Sequence, residues 1–181
     1  MKIVIASDIH GSYACAEKLF RMIEKESADL VLILGDILYH GPRNDLPMEY
    51  DCKKVASLLN SNKEKIVAIK GNCDSEVDQM MLEFPILSET AVINADGVTI
   101  YATHGHKFNP DKPLIAPKNS VVAFGHTHIP TDRIIDGVRY INPGSVSIPK
   151  HNSERGYVVF ENGSFVWKNL DGDVVKPQNW L

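Results

Sequence analysis

Short runs of apolar residues alternate with helical patterns in the first half of the chain. Residues 2–6, 30–34 and 66–69 form almost uninterrupted apolar runs, which are typical of strands buried on both faces. Three segments that follow these runs place apolar residues at helical spacing, and their predicted inward faces are Cys15, Leu19, Met22 and Ile23, then Val55, Leu58 and Leu59, then Val77, Met80, Met81 and Phe84. Asp51 and Ser75 precede the second and third helices as candidate caps. Strand–helix alternation of this kind predicts parallel strands with covering helices.

The second half is marked by hairpin signals instead. Tight turns are predicted at Asp96-Gly97, Asp136-Gly137 and Asn162-Gly163. The strands that flank them are predicted at residues 90–94 and 98–103, 133–135 and 139–141, and 156–160 and 164–169. A Pro-rich connection leads to one more buried strand, residues 121–124. We therefore expect a single domain over residues 1–181, in which an α/β half joins a hairpin-rich half and two sheets pack face to face with helices outside.

The composition of the chain argues against several classes of protein. The net charge is −4 and the sequence has no cluster of basic residues, so electrostatic binding of long DNA or RNA is not expected. No apolar run approaches membrane-spanning length, and Asp8 follows the first residues too soon for a signal peptide. Three cysteines without a Cys-x-x-Cys pair argue against a disulfide framework or zinc knuckle, and predict a protein of the reducing cytoplasm.

Residue types that bind metals follow five of the apolar strands. Gly125 ends one strand, and His126 and His128 come next; in extended backbone, side chains two positions apart point the same way, so both imidazoles are expected to face one point. The full set is Asp8 and His10, Asp36, Asn72, His104, and His126 and His128. Ligands of open α/β sheets bind outside the carboxyl ends of the strands. Taken singly, each residue is equally well explained as a helix cap or an ordinary surface side chain.

These nitrogen and oxygen ligands are more than one metal ion can bind, and they suit a pair of metal ions. Asp36 is the natural bridge, because a carboxylate can bind two cations and this residue stands alone on its strand. Mixed imidazole, carboxylate and amide ligands suit Mn, Fe or Zn, and the set contains no thiolate. Two metals about 4 Å apart recur in enzymes of phosphoryl chemistry.

The order Asp-x-His, Gly-Asp, Gly-Asn-x-Asp, Gly-His and Gly-His-Thr-His resembles that of the calcineurin-like metallophosphoesterases. Residues 36–43, 71–79 and 142–149 look more closely like a subgroup of small bacterial phosphodiesterases in this family. The resemblance covers nearly the whole chain. It implies a four-layer α-β-β-α sandwich of two mixed sheets flanked by helices, and a phosphodiesterase with two divalent ions, Mn preferred and Fe, Zn or Ni as alternatives.

The resemblance also implies the roles of the residues. One metal would be held by Asp8, His10, Asp36 and His128, and the other by Asp36, Asn72, His104 and His126. A hydroxide that bridges the metals would attack phosphorus in line. The catalytic set would be Asn72, Cys73, Asp74 and His104, with Asp74 orienting its neighbours rather than reacting. In the loop of residues 37–50, His40 and Arg43 are candidates to contact the substrate phosphate, or are ordinary loop side chains.

Cys73 departs from the wider family, which usually places His after the motif asparagine to protonate the leaving group. A thiol is a poorer acid near neutral pH, so we expect phosphodiesters with good leaving groups, such as aryl esters, to be preferred. His106 or His40 could supply the proton instead. The simplest alternative is that Cys73 is a small buried residue without chemistry.

Two other classes of function stay open. One is a non-catalytic metal-binding scaffold of the same fold, like the retromer subunit of similar size; the other is a phosphomonoesterase or protein phosphatase. The chain has no Gly-x-x-x-x-Gly-Lys loop, Gly-x-Ser-x-Gly elbow or His-Glu-x-x-His motif. The expected partner is a small phosphodiester, without long nucleic acid or membrane, and the family suggests a homodimer or homotetramer.

Overall fold

The computed structural model describes residues 1–177; residues 178–181, which the predicted domain of residues 1–181 includes, lie outside the described part. The strands are β1 (Ile3–Ala6), β2 (Leu30–Ile33), β3 (Ile66–Ala68), β4 (Thr90–Ala95), β5 (Val98–Thr103), β6 (Val121–Ala123), β7 (Thr131–Ile135), β8 (Val138–Asn142), β9 (Gly156–Glu161) and β10 (Ser164–Asn169). The helices are α1 (Tyr13–Glu26), α2 (Cys52–Asn60) and α3 (Glu76–Met81), with a 3₁₀ turn at Lys63–Lys65. None of these helices has the length and apolar character needed to cross a membrane.

The first sheet has the strand order β10-β9-β1-β2-β3. Strands β1, β2 and β3 are parallel, with Ile3 opposite Leu30 and Val31 opposite Ile66, while β9 pairs antiparallel with β1. The parallel strands predicted for the first half are therefore confirmed. Because a parallel strand is covered on both faces, its sequence is apolar throughout rather than alternating.

The two faces of β1 serve two different cores. Val4 and Ala6 pack with the inward residues of α1 and α2, whereas Ile3 and Ile5 pack against the second sheet. This is the two-residue alternation of a strand. The predicted face-to-face packing of two sheets is confirmed, and the core between them contains side chains such as Leu32, Ile100, Ala102 and Val121.

The second sheet has the order β4-β5-β6-β8-β7 and is also mixed, because β5, β6 and β8 are parallel. The hairpins β4–β5, β7–β8 and β9–β10 turn at the predicted dipeptides. At the first of them, Asp96 and Gly97 have φ of 48° and 76°, the left-handed conformation that a two-residue hairpin turn demands.

The outer face of the second sheet is covered by the connection of residues 104–120 rather than by a helix. Leu114 and Ala116 from this connection pack on Phe124 and Tyr140. Prolines at positions 110, 113 and 117 explain why the segment is not helical, since each removes a backbone donor and fixes φ.

The predicted inward face of α3 is wrong for the residues inside the helix. Val77 and Met80 are 68% and 85% exposed, and Met81 is 42% exposed, so the Met pair is not core. The helix has only six residues, and the segment that follows it fills the core with Phe84 instead. Gln79 is the helix residue that faces this segment: its amide donates to the carbonyls of residues 82 and 84 and accepts from the N–H of residue 86.

Candidate metal centre

The predicted metal ligands meet where β1, β2, β3, β5 and β6 end, at one edge of the two packed sheets. Their backbone is not extended: Asp8, His10, Asp36, His126 and His128 have φ of 58°, 50°, 54°, 65° and 61°. This left-handed region is uncommon outside glycine and marks strained positions, which cluster at functional sites. The expectation that His126 and His128 face a single point is therefore wrong, because it assumed extended backbone; the two imidazoles enter different clusters.

The first cluster consists of Asp8, His10 and His128. Asp8 Oδ1 lies 3.2 Å from His128 Nε2 and 3.6 Å from His10 Nε2, and the two Nε2 atoms are 3.4 Å apart. All three side chains are almost completely buried. Their donor atoms fall within 4.8 Å of one another, a spacing that a single ion can span.

The second cluster consists of Asp36, His104 and His126, whose donor atoms also lie within 4.8 Å of one another. His104 Nε2 lies 3.4 Å from Asp36 Oδ2 and 3.1 Å from Asn72 Oδ1. Asn72 is exposed and thus places a neutral oxygen on the solvent side of this cluster.

Asp36 joins the two clusters. Its Oδ2 atom lies 3.4 Å from His104 Nε2 and 3.7 Å from His10 Nε2. Its other oxygen, Oδ1, accepts a 2.8 Å hydrogen bond from the backbone N–H of Cys73. One carboxylate is thus fixed between imidazoles of both clusters, the position that a bridging ligand requires.

Backbone carbonyls orient three of the imidazoles. The Nδ1 atoms of His10, His104 and His128 lie 2.8, 2.6 and 2.8 Å from the carbonyl oxygens of Tyr39, Leu34 and Ile148. A carbonyl only accepts, so each Nδ1 carries the proton and each Nε2 presents a lone pair to the clusters when the ring is neutral. This arrangement of supporting contacts is characteristic of metal-binding histidines.

The electrostatics of the first cluster fit a cation. Asp8 is completely buried, and its Oδ1 atom has no hydrogen-bond partner within the described structure. Burial raises the pKa of Asp8, but His10 and His128 outweigh it and hold the pKa well below its ordinary value. A buried, ionised oxygen without a donor is costly unless a positive charge faces it. The nitrogen and oxygen donors here suit a divalent ion of the Mn, Fe or Zn type.

The two imidazoles of the second cluster have pKa values that are shifted in opposite directions. Burial lowers the pKa of His104, yet the contact with Asp36 and the charge of Asp8 overcome it and raise the pKa to about 9. Burial and the neighbouring His104 lower the pKa of His126 to about 4. A positive charge is thus favoured at this position too, and a bound cation would replace the proton on His104.

Asp74 supports the backbone of the centre. Its carboxylate accepts hydrogen bonds of 2.8, 2.8 and 2.7 Å from the N–H groups of Asp36, Ile37 and Gly71. Burial raises its pKa to about 6 in spite of these donors. Because both oxygens are engaged with backbone, the contacts agree with an orienting role and leave no free oxygen for reaction.

Cys73 lies beside Asp36 and Asn72. Its sulfur accepts a 3.2 Å contact from the Asn72 amide. Burial and the negative charge of Asp36 raise the pKa of the Cys73 thiol to about 12. The thiol therefore keeps its proton near neutral pH.

Glycines make room for two acidic side chains of the centre. A Cβ atom on Gly71 would lie 2.0 Å from Asp36 Oδ1, and one on Gly125 would lie 2.9 Å from Asp8 Oδ2 and 1.9 Å from the Ser7 hydroxyl. Such distances are far inside van der Waals contact. The glycines of the Gly-Asn and Gly-His motifs are therefore required by close packing against the candidate ligands.

A cavity of about 420 Å³ opens over the two clusters; we call it the main cavity. Its floor includes Asp36, Asn72, His126 and His128. Its walls include Cys73, Arg43 and Lys150. Arg43 and Lys150 thus line the same cavity as the candidate ligands, and the cavity is large enough for a phosphate ester.

The two other histidines considered from sequence lie outside the lining of the main cavity. His40 packs edge-on between Tyr39 and Tyr50, with ring centroids 4.9 and 5.2 Å away, so the structure does not place it where a substrate phosphate would bind. His106 lies beside the second cluster, with its ring centroid 5.4 Å from that of His104 and 6.1 Å from that of His126. Of the predicted substrate-contacting pair, only Arg43 faces the cavity.

Several contributing residues were not found from sequence. Lys150 faces the main cavity, yet a single lysine after a turn carries no motif signal. Ser145 and Ser147 donate hydrogen bonds of 2.8 and 3.1 Å to the carbonyl of Asp8, and so fix the residue that starts the first cluster. The likeness of residues 142–149 to the bacterial subgroup is the one signal in the sequence that points to this segment.

Comparison with known proteins identifies a family and close relatives. Residues 1–164 match the calcineurin-like phosphoesterase superfamily domain. The phosphodiesterase YfcE of Escherichia coli K12 is 43% identical over 162 residues, which cover 90% of this chain and 88% of that protein. A phosphodiesterase of Methanocaldococcus jannaschii is 27% identical over 151 residues, covering 80% of this chain and 83% of that protein. The resemblance predicted from the motif order is confirmed.

Solved structures agree with the fold. The structure of YfcE, described as a phosphoesterase from E. coli, superimposes with a TM-score of 0.94 at 40% identity and covers 97% of both chains. The structure of Vps29 with zinc from Entamoeba histolytica has a TM-score of 0.63 at 20% identity, covering 97% of this chain and 96% of that one, and indicates the shared fold alone. The predicted metallophosphoesterase fold of two mixed sheets is confirmed.

Proposed function

The chain belongs to the calcineurin-like phosphoesterase superfamily, and on that basis we propose that it hydrolyses small phosphodiesters with the help of two divalent metal ions, Mn²⁺ preferred. The observation that carries the proposal is the position of Asp36, whose Oδ2 atom lies 3.7 Å from His10 Nε2 and 3.4 Å from His104 Nε2. One carboxylate between two imidazole clusters supports a pair of ions with a shared ligand. The E. coli relative is a phosphodiesterase, which supports the choice of a diester substrate.

The proposed ligands divide into two sets that share Asp36. One ion would be held by Asp8, His10, Asp36 and His128, and the other by Asp36, Asn72, His104 and His126. The short distances within each cluster and the orphaned oxygen of Asp8 support this division. The sulfur of Cys73 lies within 4.8 Å of donor atoms of His10 and Asp36, but the two proposed sets contain only nitrogen and oxygen donors, which suits Mn²⁺ and also Fe, Zn or Ni.

When bound, such ions neutralise the phosphate oxygens and lower the pKa of water. The residues of the chain perform the remaining tasks. Arg43 and Lys150, on the walls of the main cavity, are positioned to attract the anionic phosphate and to contact its non-bridging oxygens. Asp74 keeps the backbone N–H groups around Asp36 in place. The carbonyls behind His10, His104 and His128 keep each Nε2 aimed at the site.

The need to stabilise the leaving group as it departs limits the range of phosphodiesters that the enzyme can hydrolyse. With its pKa raised to about 12 by burial and by Asp36, Cys73 is a poor proton donor at neutral pH. We therefore propose that the enzyme acts best on esters whose leaving group departs as a stable anion, such as an aryl oxide. His106, which lies beside His104 but outside the cavity lining, is a less direct candidate for supplying a proton.

The test is hydrolysis of bis(4-nitrophenyl) phosphate and of 4-nitrophenyl phosphate with added Mn²⁺. Turnover of the diester well above that of the monoester is expected. Asp36→Asn should reduce turnover by about a thousandfold or more, because removal of one negative charge weakens both ion sites at once. Asp45→Asn makes the same chemical change at an exposed loop position and serves as the control.

Each of the other outcomes would favour an alternative function or overturn the proposed centre. Faster turnover of the monoester would favour a phosphomonoesterase or protein phosphatase. Metal binding without turnover of either ester would favour the non-catalytic scaffold. Full activity of Asp36→Asn would overturn the assignment of the centre.

We further propose a cytoplasmic protein, since Cys15, Cys52 and Cys73 are all free thiols. The proposed partner is a small phosphodiester rather than long nucleic acid or a membrane surface. Assembly as a homodimer or homotetramer follows from the family resemblance and is testable by light scattering.

A further inference from the structure

A second cavity, of about 640 Å³, opens beside the main cavity; we call it the side cavity. The two share a wall formed by Pro42, Arg43, Asn72 and Cys73. The cavities are thus adjacent, and a molecule whose phosphate lies over the metal clusters needs to pass only these four side chains to reach the side cavity. A phosphodiester always has a second organic group to place, in contrast to a phosphomonoester.

The unshared lining of the side cavity contains aromatic and apolar side chains beside the polar Ser75 and Asp78. It includes Tyr39, Tyr50 and Val77, and Tyr39 and Val77 are 41% and 68% exposed. Apolar side chains that stay accessible beside a polar cavity are characteristic of ligand sites. Val77 was predicted to face the core, and the structure places it on this wall instead.

The aromatic wall is held in a fixed position. Tyr39 packs edge-on against His40 with ring centroids 4.9 Å apart, and His40 packs edge-on against Tyr50 at 5.2 Å. The carbonyl of Tyr39 also accepts the hydrogen bond from His10 Nδ1. The wall is therefore connected to the first metal cluster through a single residue.

The charged residues of the side cavity do not favour a second phosphate. Its lining contains Arg43 and Asp78, which offset each other. Arg43 is shared with the main cavity, where Lys150 adds a second cation. An uncharged, flat group fits the side cavity better than another anion, because aromatic rings pack favourably edge-to-face or offset on tyrosine.

We propose that the side cavity binds an aromatic ester group of the phosphodiester substrate while the phosphate occupies the main cavity. This inference rests on the proposed function and defines the substrate class: diesters that carry at least one aryl ring or nucleobase. The aromatic wall formed by Tyr39 and Tyr50, together with Val77, would be the determinant of this specificity.

The test measures binding rather than turnover. Benzyl methylphosphonate and methyl methylphosphonate carry the same single charge, differ in one phenyl ring, and have alkyl leaving groups that resist hydrolysis. Titration calorimetry with the Mn²⁺-loaded protein should show the benzyl ester binding roughly tenfold more tightly. The 5′-methylphosphonate of adenosine distinguishes the sources of the ring: tighter binding than the benzyl ester indicates a nucleobase, and weaker binding indicates a simple aryl group.

Two variants connect the preference to the wall. Val77→Asp and Tyr39→Ala should each bring the ratio of the two dissociation constants close to one. Met80→Asp is the matched control, because Met80 lies on the same helix, is 85% exposed and lines neither cavity; its ratio should equal that of the wild type. Equal binding of both phosphonates by the wild type, or an unchanged ratio in both wall variants, would overturn the inference.

Failure of the proposed function gives a different result. If bis(4-nitrophenyl) phosphate is not hydrolysed but the benzyl preference is present and depends on Val77, the cavity binds aromatic phosphoesters without the proposed catalysis. If the diester is hydrolysed and the preference is absent, the proposed function holds and the aromatic subsite does not exist.

Discussion

The Nε2 atoms of His10 and His128 lie 3.4 Å apart, although 118 positions separate the residues in the chain. Both rings donate through Nδ1 to backbone carbonyls, so two neutral rings would point lone pairs at each other. A proton or a metal ion shared with Asp8, whose Oδ1 lies 3.2 Å from His128 Nε2, removes that repulsion. The close approach of these two imidazoles therefore makes stability depend on what occupies the space between them.

Divalent metal should stabilise the fold. An ion present at about 100 times its dissociation constant adds about 2.7 kcal/mol for each site to the free energy of unfolding. We expect Mn²⁺ to raise Tm by several degrees relative to protein treated with EDTA, as measured by differential scanning calorimetry. In His10→Ala the increase should be smaller. An equal increase in that variant would show that the ion binds elsewhere.

The free energy of unfolding of the metal-free protein, prepared with a chelator, should fall as pH rises from about 6.5 to 9. The pKa of His104 is raised to about 9 by Asp36 and Asp8 against the effect of burial, compared with an ordinary value of 6.5. The folded state therefore holds the proton more tightly than the unfolded chain; the stabilisation is complete below pH 6.5 and is lost through pH 9. Urea titrations across this range measure it, and His104→Gln should flatten the slope. An equally steep slope in the variant would contradict the assignment.

Replacement of Asp74 should destabilise the protein even though the residue is not a proposed ligand. In Asp74→Asn, one oxygen becomes an amide that cannot accept from the backbone N–H groups, so at least one buried donor among those of Asp36, Ile37 and Gly71 loses its partner. The expected loss is about 1–3 kcal/mol in the free energy of unfolding, measured by urea denaturation. Asp45→Asn should change it by less than about 0.5 kcal/mol.

Cys73→His should widen the range of leaving groups. An imidazole is protonated to a useful degree near neutral pH, whereas the pKa of Cys73 is raised to about 12 by burial and by Asp36. We expect kcat for alkyl phosphodiesters to rise relative to kcat for bis(4-nitrophenyl) phosphate. Metal content should be measured alongside; an unchanged ratio with both ions bound would mean that protonation by residue 73 does not limit turnover.

The parts of the fold that were predicted correctly depend on local signals. Strands such as Val121–Ala123 are apolar throughout because both faces are covered, and the hairpin at Asp96-Gly97 needs only its own dipeptide. The helix Glu76–Met81 was predicted correctly, but its inward face was not, because the polar Gln79 makes the hydrogen bonds to a later segment, and apolar spacing does not reveal them.

The candidate ligands were found by residue type and position after strands, but their directions were not. Left-handed backbone at His126 and His128 sends the two imidazoles to different clusters, and no periodicity rule indicates this. The carbonyls that orient the rings come from Leu34, Tyr39 and Ile148, whose side chains carry no signal of that role.

Gly71 shows that the chemistry of the centre also depends on a residue with no functional group. A Cβ atom there would lie 2.0 Å from Asp36 Oδ1, so even alanine would displace the carboxylate that is shared by both clusters. By contrast, a Cβ atom on Gly97 meets nothing within 4 Å. Mutational tolerance at position 71 is thus governed by the coordination geometry of another residue, and the missing side chain of that glycine, which leaves room for the Asp36 carboxylate, is as much a part of the centre as its imidazoles.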